Sequence, residues 1–510
     1  MFTLALDQHP DEARRCELLL ALADAQTRAG ELVCAKDVLL AAAEGAKALG
    51  DPQRLARAAL GFGDIFLRFT IPHAEAVEPV VGLLEEALAR LDGGDSPLRA
   101  RLLGQLAMTL TLPQYWKPDT ERWKPDVEQR HARRERGLGL GRQAVDMARR
   151  LGDTEALASV LDTRCFALGP DALQERLDLA AQLLRLAEEA GDEQMAQQAR
   201  MWRIVGFLQL GNVLAADVEL VRYVRVAEAL RQPVHLYWSH IWQATRALMG
   251  GRFDEAERHN LQALDVNLRL RGLDATQLQA GVAGQLFTLR GEQGRLGALE
   301  ETVKGFVREF PQFLAWRAAL ALIHAAAGDE EAARGEFEQV AAEDFTRIPR
   351  DEVWMATVTA AAEVCVWLGD ARRAVMLYEL LLPFASHCVV LGRGYVCSGS
   401  VAYFLGRLAV TMGRVEAACG HFEVALAVNE RIGATPSLAR TQYSYARALL
   451  ARGLPGDREK ADALRGRSLQ TAHTLGMTLL IRQLSPEPTP GTPATTTSTR
   501  PHPRTPTAML

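Results

Sequence analysis

The sequence predicts an all-α fold, a right-handed solenoid of stacked helical hairpins, and three observations carry that expectation. Apolar residues recur at three- and four-residue spacing along almost the whole chain, without alternating β-branched runs bounded by turns, so no sheet is expected. Breaks follow Leu- and Ala-rich stretches at Gly50-Asp51, Gly93-Gly94, Gly152-Asp153, Gly191-Asp192, Gly250-Gly251, Gly328-Asp329 and Gly369-Asp370. A glycine ends a helix in the left-handed conformation, and an aspartate behind it caps the next helix. Finally, five segments align in one register about a turn glycine.

Taken in chain order, the aligned segments are LADAQTRAGELVCAKDVLLAA around Gly30, QATRALMGGRFDEAERHNLQAL around Gly251, LALIHAAAGDEEAARGEFEQV around Gly328, AAEVCVWLGDARRAVMLYELL around Gly369 and LGRLAVTMGRVEAACGHFEVAL around Gly413. Each has a small residue seven before the glycine (Ala23, Ala244, Ala321, Ala362, Gly406) and alanine five after it (Ala35, Ala256, Ala333, Ala374, Ala418). Small residues at both places let two helices approach closely, and a larger group nine after the glycine (Leu39, Phe337, Tyr378, Phe422) fills the space beside them. This pattern resembles the tetratricopeptide repeat. Turn glycines at 251, 294, 328, 369, 413 and 453 lie 43, 34, 41, 44 and 40 apart. Most intervals exceed the usual ~34-residue unit, so the helices are extended by a turn or two. The array is expected to be elongated and monomeric, with roughly 11 or 12 helix pairs.

The chain divides into N-terminal helical repeats over 1–112, an inserted loop over 113–128, the main repeat solenoid over 129–484 and a disordered tail over 485–510. The loop carries WKPD twice, at Trp116 and Trp123, with prolines that oppose helix. Its two tryptophans either anchor a partner at an exposed tip or fold back against the adjacent repeat junction. The tail is nearly all Pro, Thr and small residues and cannot bury a core.

Composition excludes several classes. The 510 residues are 48% hydrophobic and 24% charged with a formal net charge of -5, a globular balance that disfavours nucleic acid and anionic membrane as partners. The seven cysteines contain no CxxC pair, which points to a reducing cytoplasm rather than a disulfide or zinc scaffold. The most apolar stretch, Ala318 to Gly328, is too short to span a bilayer. There is no Gly-Lys dipeptide and hence no phosphate-binding loop. Gly137, Gly139 and Gly141 have the wrong spacing for a dinucleotide loop and follow no strand. His235 and His240 fall on different helix faces, and no nucleophile or metal-binding motif appears, so neither an enzyme nor a cofactor is expected. The arginines Arg130, Arg133, Arg134 and Arg136 are interleaved with acids and read as a charged helix face.

The stretch ALAVNERIGATPSLARTQYSYARALLA (Ala425 to Ala451) with the following RGLPGDREKA resembles the C-terminal repeat region of bacterial signal-transduction ATPases. The opening LDQHPDEARRCELLLALADAQTRAGE and the phrase AVDMARRLGDTEALASVL look like the same region, so the resemblance covers 6–484. It implies a regulatory repeat region related to those of the maltose-regulon activator and LuxR-type regulators. No NTPase module precedes the repeats and no DNA-binding helices follow them here, so those activities do not carry over. Either the repeats work alone as an adaptor, or the chain is a fragment of a longer regulator.

The expected role is a scaffold that holds a protein or peptide in its concave groove; the alternative is a small-ligand or peptide sensor that changes solenoid curvature. Residues ten and six before a turn glycine face the groove of tetratricopeptide hairpins. In the last two repeats these are Tyr403 with Arg407 and Tyr443 with Arg447. Such rows offer phenol hydroxyls and guanidinium forks to a carboxylate, phosphate or acidic peptide, with Glu363 placed to pair with Arg407. The other outcome is that the arginines make salt bridges and the tyrosines pack between hairpins.

Overall fold

The computed structural model describes residues 11–69, 74–112, 127–269 and 276–485. Trp116, Trp123, most of the WKPD segment and the Pro/Thr tail lie outside them. Among the described residues 23 α-helices follow one another. The N-terminal ones are α1 (Glu12–Ala29), α2 (Leu32–Leu49), α3 (Pro52–Phe69), α4 (Ala74–Arg90), α5 (Pro97–Thr111), α6 (Val127–Leu151) and α7 (Thr154–Ala167). The middle comprises α8 (Leu173–Ala190), α9 (Glu193–Gln209), α10 (Val213–Leu230), α11 (Pro233–Met249), α12 (Phe253–Arg269), α13 (Thr276–Glu292) and α14 (Glu300–Glu309). Then come α15 (Leu314–Ala327), α16 (Glu330–Ala341), α17 (Trp354–Leu368), α18 (Ala371–Leu381), α19 (Val401–Thr411), α20 (Val415–Arg431), α21 (Thr435–Arg452), α22 (Asp457–Leu475) and α23 (Thr478–Leu484). Apart from α13 and α14, successive helices pack on one another, so the architecture is an all-α solenoid of hairpins.

The hairpin turns follow from local chemistry. Gly30, Gly328 and Gly413 take φ of 81°, 79° and 74°, where a Cβ would be strained. The aspartate behind several breaks caps the next helix: Asp153 accepts from the Ala156 amide at 2.8 Å, Asp192 from Met195 at 2.9 Å and Asp370 from Arg373 at 3.0 Å. Each such cap stabilises by about 1 kcal/mol. The alanines of the repeat register, Ala35, Ala256, Ala333, Ala374 and Ala418, are all fully buried. Gly406 shows why size matters there, since a Cβ on it would lie 2.7 Å from the Phe422 ring. The GLGLG run sits inside α6, where a Cβ on Gly137 would lie 2.9 Å from the Ala107 carbonyl oxygen of α5, so that glycine serves close helix contact, while a Cβ on Gly139 would meet nothing within 4 Å. On the same helix Arg133 and Arg136 pair with Glu78 and Glu85 of α4 at 2.9 and 2.7 Å.

Two expectations are corrected. A sheet exists: β1 (Cys388–Leu391) and β2 (Val396–Ser400) form an antiparallel hairpin between α18 and α19. Its tip enters the interior of the solenoid. The Trp242 indole N–H donates to the Arg393 carbonyl at 2.8 Å, and the Gln285 amide donates to the Tyr395 carbonyl at 2.8 Å. Tyr395 lies against Gly281, where a Cβ would overlap its ring, and tilts over Trp238 at 5.3 Å between centroids. The arrangement pairs Val390 with Cys397 and Leu391 with Val396 across a Gly-Arg-Gly turn while its buried polar backbone is satisfied by α11 and α13.

The array also does not extend as an open rod. Helices α21 and α23 return to pack on α11 and α13, Arg440 pairs with Glu292, and the Thr478 hydroxyl donates to the Gln293 carbonyl at 2.9 Å. The superhelix is wound tightly enough for its last repeats to touch ones more than 140 residues earlier, and Arg350 bonds Asp171 at 2.7 Å on the other side. No helix among the described residues is long and apolar enough to cross a membrane.

Candidate functional site

Winding leaves a partly open cavity of about 940 Å³. Its wall is built from the first helix of successive hairpins, each contributing one stripe at helical spacing. From α17 come Ala356, Thr359 and Glu363; from α19, Tyr403, Arg407 and Val410; from α21, Arg440, Tyr443 and Arg447. Residues three, four and seven apart share a helix face, which is why one stripe per helix meets the interior. The β-hairpin contributes a further wall through Val390, Arg393 and Tyr395.

The structure therefore brings Tyr403, Arg407, Tyr443, Arg447 and Glu363 to one cavity. Arg407 pairs with Glu363, and its guanidinium also donates to the Tyr403 hydroxyl at 3.3 Å while lying 5.8 Å from the ring centroid. Burial opposes the Arg407 charge, yet the Glu363 carboxylate and the Tyr403 hydroxyl outweigh it and raise its pKa. Burial likewise raises the Tyr403 phenol. One repeat on, Arg447 lies 5.8 Å from the Tyr443 ring centroid. The two pairs differ: Tyr403 is buried and Arg407 partly so, whereas Tyr443 is half-buried and Arg447 exposed. Trp116 and Trp123 lie outside the described residues.

Sequence reasoning missed two contributors. Arg440 sits beside these rows, pairs with Glu292 of α13 and donates to the Ser437 hydroxyl at 3.0 Å. It is three residues before Tyr443, so helical spacing alone could have placed it on the same stripe; Glu292 comes from a repeat far away and had no local signal. The second is Arg393 at the hairpin tip, nearly fully buried, with its guanidinium 4.8 Å from the Phe166 ring centroid and 3.4 Å from Glu352. At that end of the cavity burial lowers the pKa of Arg134, against the fields of Asp351 and Glu135. Arg176 is held by the Gly169 carbonyl at 2.7 Å and the Gln209 side chain at 3.3 Å.

Nine further aromatic side chains line the rest of the wall, among them Trp202, Phe287, Trp316 and Trp367. No group of three or more His, Cys, Asp or Glu positioned for a metal occurs among the described residues. His235, one of the histidines weighed for chemistry, is buried against the Tyr223 hydroxyl, 2.8 Å from its Nδ1.

No protein-family model matches the sequence, and no curated protein matches it. Among solved structures, the crystal structure of the APC/C hetero-tetramer Cut9-Hcn1 is similar, at 12% identity over 93% of this chain and 96% of that chain, with a TM-score of 0.32. A likeness that faint decides neither partner nor function; the all-α repeat fold rests on the hairpin geometry itself.

Proposed function

We propose that the chain is a non-catalytic helical-repeat binding protein, the regulatory repeat region of a bacterial signal-transduction ATPase or transcriptional regulator, acting in the cytoplasm. The observation that carries the binding role is the partly open cavity, in which stripes from consecutive hairpins converge with Arg407, Arg440 and Arg447 on one side and aromatic rings around them. Its volume lies in the range of small-molecule and peptide sites. The regulator context rests on the resemblance of the Ala425 to Ala451 stretch and the N-terminal segment. The layout proposed with it is N-terminal repeats over 1–112, the loop 113–128 with Trp116 and Trp123 as a contact tip, and the main array over 129–484.

A cavity partly walled in by returning helices and the β-hairpin, instead of a long open groove, favours the sensor form of this role over an open scaffold. The cavity is lined by helices of several hairpins and by the β-hairpin together, so a ligand's contacts there depend on how tightly the superhelix is wound. The test is a peptide array probed with wild type and with the Arg407→Ala/Arg447→Ala double variant. Loss of bound peptides in the double variant supports the site. An identical binding pattern excludes this face.

A further inference from the structure

We infer that the occupant of the cavity is a small organic monocarboxylate, an apolar body carrying one negative charge, with the carboxylate seated at Arg447. The inference rests on the cavity being the binding site. Three observations lead to it.

The first is charge inversion. The chain as a whole carries a net charge of -5, yet seven arginines and only four carboxylates line the cavity. An interior positive against an acidic exterior concentrates anions at the opening.

The second is how those arginines are already engaged. Arg407 is neutralised by Glu363 and Arg440 by Glu292. Toward the other end, Arg393 faces Glu352 at 3.4 Å, Arg350 faces Asp171 at 2.7 Å, and Arg176 donates to carbonyl groups. Arg134 reaches the Thr111 carbonyl at 3.5 Å, in the field of Asp351. Among the described residues Arg447 contacts only the Tyr443 ring, and it is exposed where the lining reaches solvent. The cluster of Arg407, Arg440 and Arg447 with Glu363 and Glu292 thus has one guanidinium in excess, which balances one negative charge. A phosphate dianion would place a second charge beside Glu363 and Glu292 with no cation to meet it. A carboxylate matches the planar fork of a single guanidinium.

The third observation is the remaining wall, in which nine further aromatic rings line an interior large enough for a drug-sized molecule. Arg407 and Arg440 keep 26% and 32% of their side-chain surface accessible although both line the interior, so ligand and water reach them from the cavity.

The test uses decanoate, 1-decanol and decyl phosphate below their aggregation limits, titrated into the full chain and followed by the fluorescence of the lining tryptophans. Decanoate is expected to bind at least about tenfold more tightly than decanol, the difference one charge-assisted hydrogen-bonded pair supplies. Arg447→Ala should remove that difference and leave decanol binding unchanged, with Arg447→Lys restoring part of it. Since Arg447 is exposed, an unchanged melting curve is expected and shows that the variant is folded. Equal binding of decanoate and decanol, tighter binding of decyl phosphate, or indifference to Arg447→Ala overturns the carboxylate assignment while leaving the cavity as a binding site. If none of the three probes binds, the cavity role falls as well.

Discussion

Glu363 of α17 and Arg407 of α19, 44 residues apart, form an ion pair across neighbouring hairpins, and the same guanidinium reaches the hydroxyl of Tyr403 one turn earlier on its own helix. The pair joins consecutive repeats at the cavity wall, where each side chain is about one-quarter accessible. Its partners are therefore partly desolvated, and removing one strands the other.

Arg407→Ala should destabilise the fold by about 1–3 kcal/mol, below the cost of breaking a wholly buried pair because the cavity still admits water. Replacing both partners, Glu363→Gln with Arg407→Met, should cost less than the single change. Urea denaturation in a double-mutant cycle measures this, and additive effects would show that the two side chains are not coupled.

Two glycines of one hairpin should respond oppositely to alanine. Gly406→Ala drives a methyl into the Phe422 ring and should cost about 1–3 kcal/mol by overpacking. Gly420 on α20 has nothing within 4 Å of a built Cβ, so Gly420→Ala should stabilise by about 0.5–1 kcal/mol through helix propensity. Thermal melts of the two variants decide it; equal shifts would mean that the small residue before the turn is not set by close packing.

Acid should weaken the protein through His235. Burial pushes its pKa down to about 4, from about 6.5 in an unfolded chain. Above pH ~6.5 the imidazole is neutral in both states and stability is unaffected. Between ~6.5 and ~4 the unfolded chain takes up a proton that the folded one refuses, so stability falls with pH and levels off below. This single group removes about 3 kcal/mol over that window. His235→Asn keeps an acceptor near the Tyr223 hydroxyl and cannot titrate, so its unfolding free energy should fall less between pH 7.5 and 5. Parallel slopes for both proteins would refute the assignment.

Much of the hairpin register was legible because it follows from a steric rule that acts locally. Two helices approach closely only where Ala374 or Gly406 leaves room, and a turn such as that at Gly328 needs a residue tolerant of positive φ. The Tyr403 and Arg407 stripe was legible for the same reason, since helical spacing alone puts both on one face. The β-hairpin was not read as strand, although Val389, Val390, Tyr395 and Val396 flank a Gly-Arg-Gly turn. A short apolar run between helices looks the same as a buried helical segment by periodicity. The Arg440 to Glu292 pair left no trace in any local pattern, because it depends on the pitch of the whole superhelix.

The β-hairpin changes how the protein must fold and unfold. An untied repeat array is nearly one-dimensional: each unit feels only its neighbours, and the ends can fray while the centre persists. Here the bonds from Trp242 and Gln285 to the strand tip join segments 151 and 110 positions apart. Closing loops of that length is entropically costly and comes late, once the intervening hairpins have formed. Hydrogen exchange should consequently show the helices from α11 to α21 opening together as one cooperative block, while α1 and α2 exchange on their own.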